Sequence, residues 1–394
     1  MIMPGKRKAV VSTVAAAFLC AGVFALGSAS AAPAASGAAP APAATSDVVA
    51  QMRQLIEEHS ARPKFTPPGP PLDISSLKGK TIAIQVVDAR IGAIIGVAEA
   101  VKEAAARAGL KTTVFDAKSS PVRMQQGFQE AINNGANAIV NDGDVVKIIA
   151  NQIKAARDKG IPTVEAINSP PVVGVPGQGS DPNTYGNVAP DSYLTGQLSA
   201  AAAIVNTNGH AHVVIMNTSE VSASPTIVKG MKDTLAKCAT CSIVQITDTP
   251  LAEWSTAITG LTTTIVRSHP EVNYLLPIYS DMGIFAAAGV QQAGATGRVH
   301  IASFNGTPAA QALVKKGDIY AANTAQDNEW IGWAVVDQAM RGMLKQEPAN
   351  PISPVRYVAT KDLKNVDTSS SKALSTALFG DDYKQGFLKL WGLQ

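Results

Sequence analysis

The sequence lacks the short motifs that identify common enzyme classes of this size. It has no G-x-x-x-x-G-K-[ST] loop to hold phosphates, no H-E-x-x-H zinc helix and no G-x-S-x-G nucleophile turn. The segment 88–92 after the first predicted strand reads D-A-R-I-G, which is not the G-x-G-x-x-G turn that a dinucleotide requires. No nucleophile–base pair is visible. We therefore expect neither an enzyme nor a bound cofactor.

Charged residues are also scarce. They make up 16% of the 394 residues, and the formal net charge is +3. The segment Lys6–Lys8 alone supplies that much positive charge, and the rest of the chain has no basic cluster. Because nucleic-acid binding needs a concentrated basic surface, we expect no nucleic-acid partner.

The N-terminus differs in character from the rest of the chain. The basic segment Lys6–Lys8 precedes an apolar run, Ala9–Leu26, and Ala29–Ala31 are small residues of the kind that signal peptidase accepts. This order predicts an export signal over residues 1–31, and a mature protein in the periplasm or on the outer face of the cytoplasmic membrane. Two alternatives stay open. Cys20 could carry a lipid, or the apolar run could remain as an anchor, since it approaches the ~18 residues that span a bilayer.

Residues 32–76 are expected to connect this signal to the folded body. The segment up to residue 45 is almost entirely Ala, Pro, Ser and Gly, a composition that cannot bury a core. An amphipathic pattern then predicts a short helix over residues 47–59, and the prolines that follow end it. The folded body should begin near Leu77.

The chain contains only three cysteines, and two of them form the C-x-x-C of Cys238 and Cys241. Because the protein is expected to be exported and the pair follows a predicted helix, we predict a local disulfide; zinc binding and thiol redox activity are the alternatives. His210 and His212 share one strand face and could hold a metal. They have no cysteine or carboxylate partner at ligand spacing, so we expect no metal site.

From Lys80 onward, short apolar runs alternate with longer amphipathic ones. The former, from Thr81–Val87 to Ile319–Thr324, predict at least nine strands, and the latter predict the helices between them. Strict alternation of this kind favours parallel sheets covered by helices on both faces. Because nine strands exceed one small sheet, the sequence predicts an α/β protein with two lobes.

Several segments in this body occur in the order in which a known family has them, and the chain resembles the ribose/galactose-type periplasmic binding proteins over roughly Lys80 to Asp362. The segments are Lys159–Val164 (KGIPTV), Ala189–Gly196 (APDSYLTG), Ser268–Val272 (SHPEV), Ser280–Gly283 (SDMG), Phe304–Pro308 (FNGTP) and Thr324–Gln326 (TAQ). Each segment alone is a weak signal, but the ordered set is specific.

The resemblance implies a type I periplasmic binding protein fold, in which a three-strand hinge joins two Rossmann-like lobes. The first lobe would comprise residues 77–189 and 327–353, and the second 190–326 and 354–365. It also implies a monomer that binds a solute between the lobes for an ABC importer, with a membrane permease as its partner. An exported sensor that presents solute to a kinase or chemoreceptor is the alternative. The tail, 366–394, lies outside the resemblance and has an apolar stripe of no assigned role.

Carried over residue by residue, the family's binding positions fall at the carboxyl ends of predicted strands, where α/β sheets bind ligands. They are Asp88, Arg90, Asp142, Asp144, Asn168, Asp191, Trp254, Asp281, Asn305 and Gln326. Some of them have simpler explanations. Asp142 and Asp144 could cap the following helix, Asp191 could be an N-cap, and Trp254 could serve packing.

The predicted pocket departs from the family pattern by having less charge and less stacking area. Asn168 and Asn305 stand where the family often has charged residues, and Ile91, Gly92 or Ala93 stands in place of an aromatic pair. This difference predicts an uncharged ligand of about one ring. A sugar or polyol is the first expectation, and a less polar cyclic compound is the alternative.

Overall fold

The computed structural model describes residues 45–167, 169–170, 181–349 and 351–394. The predicted export signal, most of the Ala/Pro-rich segment and Asn168 lie outside the described residues. The described residues fall within one compact unit, Pro42–Gln394. Within them, no helix combines the length and the apolar character needed to cross a membrane.

Two six-stranded sheets organise the molecule. The first has the strand order β11-β5-β4-β3-β1-β2, and the second has the order β12-β10-β9-β8-β6-β7. The strands are β1 Thr81–Val86, β2 Lys111–Asp116, β3 Ala138–Asp142, β4 Thr163–Ala166, β5 Gly186–Pro190, β6 His212–Asn217, β7 Ser242–Asp248, β8 Tyr274–Pro277, β9 His300–Asn305, β10 Tyr320–Gln326, β11 Ile352–Ser353 and β12 Val355–Ala359. Every paired strand runs parallel to its neighbour except β12, which is antiparallel to β10.

Helices cover both sheets. They are α1 Thr45–Glu58, α2 Gly92–Arg107, α3 Pro121–Asn133, α4 Val146–Asp158, α5 Ser192–Asn206, α6 Ser224–Leu235, α7 Trp254–Ser268, α8 Ser280–Gln292, α9 Pro308–Lys316, α10 Asn328–Met343, α11 Ser371–Leu378 and α12 Asp382–Leu390. The central strands β3, β4 and β5 are buried along their whole length, whereas the edge strands β2 and β7 are largely exposed. This difference is what a parallel sheet covered on both faces requires.

The chain passes between the two sheets three times. It leaves the first sheet after β5 and enters α5, which packs against β9 and β10 of the second. It returns after β10 into α10, which packs against α2 and β3, and β11 leads it back into β12. The predicted fold of two α/β lobes joined by a three-strand hinge is therefore confirmed.

Both ends of the described chain also contact both lobes. Val48 and Met52 of α1 belong to the second lobe's core, whereas Phe65 packs on Trp330 of α10 in the first lobe, with ring centroids 5.8 Å apart. At the other end, Leu374 of α11 is part of the second lobe's core.

The tail finishes on the first lobe. Trp391, the residue after α12, stacks on Trp333 of α10 at 5.4 Å between ring centroids, and its indole Nε1 donates to Asp337 at 2.9 Å. Of the apolar stripe in the tail, Tyr383, Phe387 and Trp391 thus face α10, whereas Phe379 belongs to the second lobe's core.

Two glycines let α5 and α6 approach closely. A Cβ built on Gly196 would lie 2.0 Å from the carbonyl oxygen of Ile227, and one built on Gly230 would lie 2.2 Å from that of Tyr193. Because backbone atoms cannot move aside as a flexible side chain can, any larger residue must push the helices apart. Gly260 of α7 is a helical glycine with open space around it and serves as the comparison.

We predict that Gly196→Ala lowers the free energy of unfolding by roughly 1–3 kcal/mol, the usual cost of overpacking a core. Gly260→Ala should be neutral or stabilising by up to about 1 kcal/mol, since alanine favours helix more than glycine does. Urea titrations followed by circular dichroism measure both. Equal effects of the two substitutions would contradict the close helix contact.

Candidate functional site: the pocket between the lobes

The carboxyl ends of strands from both sheets face a common pocket of about 540 Å³, its open mouth included. Since nearly all strands are parallel, the residues that follow them gather at one edge of each sheet. The described lining residues are Val87, Ile91, Ala93, Ile94, Gly143 and Ile167 from the first lobe and Val221, Leu251, Trp254, Tyr279, Asp281, Phe304, Asn305 and Gln326 from the second-lobe part of the chain.

Asn305 and Gln326 are buried side chains with free acceptor atoms. They are 6% and 4% exposed, and neither Asn305 Oδ1 nor Gln326 Oε1 has a hydrogen-bond partner within the described part of the chain. Gln326 Nε2 donates to Asn328 Oδ1 at 2.8 Å, which fixes the orientation of its amide. Asn305 is held at a φ of 99°, a left-handed conformation that asparagine tolerates better than most residues. Both side chains are thus positioned to receive hydrogen bonds from a ligand.

Asp281, in the first turn of α8, connects the two lobes. Its Oδ1 accepts a hydrogen bond from Thr307 Oγ1 at 3.1 Å, and the backbone N–H groups of Gly92 and Ala93 at the start of α2 lie near the carboxylate and favour its charged form. Burial raises the pKa of this carboxyl, and these groups oppose the rise. Its Oδ2 is buried without a partner among the described residues and lies at the pocket. One carboxylate therefore joins the lobes and offers an acceptor to a ligand.

Three aromatic side chains form one wall of the pocket. Trp254 is 6% exposed and lies 6.3 Å from Tyr279, which lies 5.9 Å from Phe304, measured between ring centroids. The indole Nε1 of Trp254 donates to Thr218 Oγ1 at 2.9 Å, so its polar group is already satisfied. Trp254 both packs in the core and lines the pocket, and the surface it contributes is apolar.

Asp88 and Arg90 lie at the wider mouth of the cleft rather than in the inner pocket. Arg90 donates to the two carboxylate oxygens of Asp88 at 2.8 and 2.6 Å, and the hydroxyl of Ser119 adds a third bond at 2.8 Å. The hydrogen bond from Arg90 is the main cause that lowers the pKa of Asp88 to about 2. The charges of Asp88 and Arg90 therefore neutralise each other at the entrance of the cleft.

Asp142 and Asp144 are buried beneath the pocket and are not among its described lining residues. Burial raises the pKa of Asp144 to about 7, and burial and then the charge of Asp144 raise that of Asp142 well above its usual value. The N-cap of α4 is Val145, whose side chain makes no capping bond. The helix therefore begins one residue later than a cap at Asp144 would place it.

Asp191 lies away from the interlobe pocket. It is the N-cap of α5, where its Oδ1 accepts from the backbone N–H of Leu194 at 3.0 Å, and it lines a separate cavity beside Arg62 and Val355 at the hinge. Asn168 lies outside the described residues. Of the ten residues predicted from the sequence, the structure brings Trp254, Asp281, Asn305 and Gln326 together in the inner pocket.

The sequence analysis did not predict most of the apolar lining. Val221, Leu251 and Phe304 were not singled out, although Phe304 immediately precedes Asn305 and Leu251 lies in the segment before α7. The available signal was their position, since Val221 and Leu251 follow the ends of β6 and β7 and Phe304 is the next-to-last residue of β9. Isolated aliphatic residues in a core-rich sequence give no further indication of a binding role.

Cys238, Cys241 and His212 lie away from the pocket. Cys238 and Cys241 are joined by a disulfide between α6 and β7. His212 Nδ1 forms a hydrogen bond with Ser242 Oγ at 2.8 Å. Over the described ranges, no group of three or more His, Cys, Asp or Glu side chains is arranged to hold a metal ion.

A comparison against protein-family models matches residues 84–347 to the periplasmic binding protein domain. This match agrees with the two lobes and with the pocket at the carboxyl ends of their strands. The chain belongs to the periplasmic binding protein family. This family is an extracytoplasmic class of solute-binding proteins rather than of enzymes. Among curated proteins, no relative matches the sequence.

Solved structures show the same fold. An ABC transporter solute-binding protein from Agrobacterium vitis, bound with alpha-D-tagatopyranose, is 18% identical, with a TM-score of 0.65 over 73% of this chain and 96% of that one. One from Bacillus halodurans with myo-inositol is 18% identical, with a TM-score of 0.63 and the same coverage of 73% and 96%. GanP, a glucose-galactose binding protein from Geobacillus stearothermophilus, is 19% identical, with a TM-score of 0.65 over 73% and 99%.

The buried carboxyl of Asp144 should make the stability of this periplasmic binding protein depend on pH. Its pKa rises from 3.8 to about 7 on folding, so the folded protein holds this proton more tightly than the unfolded chain does. The resulting contribution to the free energy of unfolding is fully present below about pH 4 and is lost as the pH rises toward 7. Asp144→Asn removes this loss. The variant should therefore gain stability relative to the wild type as the pH increases across that window.

Urea titrations at several pH values measure this difference. Asp158→Asn is the control, because the pKa of Asp158 is lowered by hydrogen bonds from Lys154 and Arg157, and it therefore titrates below the window. A difference between the Asp144 variant and the wild type that stays constant with pH would show that folding does not raise the pKa of Asp144.

Proposed function

We propose that this protein captures a small neutral solute in the interlobe pocket and delivers it to the permease of an ABC importer. The observation that carries the proposal is the set of three acceptors in the pocket, Asn305 Oδ1, Gln326 Oε1 and Asp281 Oδ2, which are buried without partners among the described residues. Leaving such atoms unpaired costs free energy that a bound ligand would recover.

The relatives support the transport role. Those compared above include solute-binding proteins of ABC transporters whose structures hold a sugar or a cyclic polyol of one ring. The export signal predicted over residues 1–31 and the extracytoplasmic character of the family are consistent with this role. In the proposal, residues 77–189 and 327–353 form one lobe, and residues 190–326 and 354–365 form the other.

An anionic solute is disfavoured because the described lining of the pocket offers it no cation. None of the described lining residues is Lys, Arg or His. Arg90, at the mouth of the cleft, is already paired with Asp88. An anionic group would therefore be buried without a partner, which is costly in a largely apolar site.

Removing either amide should weaken binding. Asn305→Gly keeps the left-handed backbone, and Gln326→Leu keeps the side-chain size, so each mainly removes an acceptor. Each substitution should lower affinity roughly 10- to 100-fold, which corresponds to about 1–3 kcal/mol for the unpaired group that remains on the ligand. A thermal-shift screen of sugars, polyols, amino acids and cyclic diols, followed by calorimetry on the hits, measures the change.

Asp191→Asn is the matched control for these variants, because asparagine still caps α5 and the residue lies outside the pocket. Its affinity should equal that of the wild type. If both pocket variants also bind and transport as the wild type does, the pocket is not the binding site.

Asp281 should hold the closed state. Asp281→Ala removes the carboxylate that faces the N–H groups of α2 across the cleft, so the ligand-saturated protein should become more open and bind at least about tenfold more weakly. Small-angle scattering measures the radius of gyration with and without ligand. Asp233→Ala, on the exposed face of α6, is the control, and an unchanged radius in the Asp281 variant would contradict the role.

A further inference from the structure

The three buried acceptors of the pocket and its aliphatic residues are on different sides. Asn305 and Gln326 end the neighbouring strands β9 and β10, with Asn305 in register with Ala325, and Asp281 hydrogen-bonds Thr307, two residues beyond Asn305. The three acceptors therefore lie on one side of the pocket, at the ends of two adjacent strands of the second lobe.

In the part of the chain that the structure describes, the opposite wall is aliphatic. Val87, Ile91, Ile94 and Ile167 face the pocket from the first lobe, and no described lining residue of that lobe has a polar side chain. Val87 and Ile94 are 2% and 5% exposed, so the closed pocket shields this wall from water.

The aromatic wall adds no hydrogen-bonding group from its tryptophan. The indole Nε1 of Trp254 is held by Thr218 Oγ1 at 2.9 Å and by the carbonyl of Thr249 at 3.3 Å. A ligand can contact the ring but receives no hydrogen bond from this nitrogen.

We infer that the ligand is a neutral ring that is mainly apolar and carries its hydrogen-bond donors along one edge, rather than a fully hydroxylated sugar. This inference rests on the proposed function and specifies its substrate class. A hexose or inositol has hydroxyls around the whole ring, and several of them would be buried against aliphatic carbon without a partner. A ring with donors on one edge satisfies the three acceptors and buries its other edge favourably.

The test compares catechol and cis-1,2-cyclohexanediol with D-galactose and myo-inositol by calorimetry on the mature wild-type protein. Each ring diol should bind at least tenfold more tightly than either polyhydroxylated ring, and Asn305→Gly should weaken the diols at least tenfold. Equal or tighter binding of D-galactose or myo-inositol overturns the inference. If that binding is also lost in Asn305→Gly, the proposed function stands.

A second variant tests the aliphatic wall directly. Ile94→Thr introduces a hydroxyl on that wall and should reduce the preference for ring diols over myo-inositol by at least threefold. Val122→Thr, at an exposed position of α3, should leave it unchanged. An unchanged preference in a folded Ile94 variant contradicts the inference. If no diol, sugar, polyol or amino acid binds the wild type, both the inference and the proposed function fail.

Discussion

The parallel direction of the strands is the constraint on which the site depends. When neighbouring strands run the same way, each must be followed by a crossover, and all the segments after their carboxyl ends lie at one edge of the sheet. In this protein two such edges face each other, because the chain changes sheets after β5, after β10 and after β11. Asn305 and Gln326 meet because their strands end side by side. The same edge brings them to Asp281 and Trp254, which are distant from them in sequence.

The charges of the cleft are arranged by the same geometry but are neutralised in different ways. Arg90 and Asp88 pair at the mouth, where water can still reach the guanidinium. Asp281 receives a hydrogen bond from a hydroxyl and lies near the start of a helix, where the backbone N–H groups are free and favour an anion. Asp142 and Asp144 lie deeper, and burial favours their protonated forms. Among the described residues, the inner pocket therefore offers a ligand two amides, one free oxygen of Asp281, the hydroxyl of Tyr279 and otherwise carbon.

Much of this fold was predictable from the sequence because alternating short and long apolar patterns report strands and helices directly. The two-residue strand β11 was not, since two residues carry no periodicity. Asn305 and Gln326 could be found because they end strands within segments typical of the family. Asp191 also follows a strand, but its side chain caps the N-terminus of α5 instead of reaching the pocket. The aliphatic residues of the first-lobe wall cannot be told from core residues in the sequence, because only the placement of the two lobes shows that they line a pocket.

The chain ends have a mechanical consequence. The N-terminal segment passes from the second lobe's core at Met52 to the first lobe at Phe65, and the tail passes from Leu378 to Tyr383 in the same direction. With the three hinge strands, five covalent links span the two lobes. Any opening of the cleft has to be accommodated by these two outer links as well, so we expect a smaller angular range than three hinge strands alone would allow. Closure on a ligand should then cost less conformational entropy, so a larger share of the free energy of the ligand contacts should appear as binding affinity.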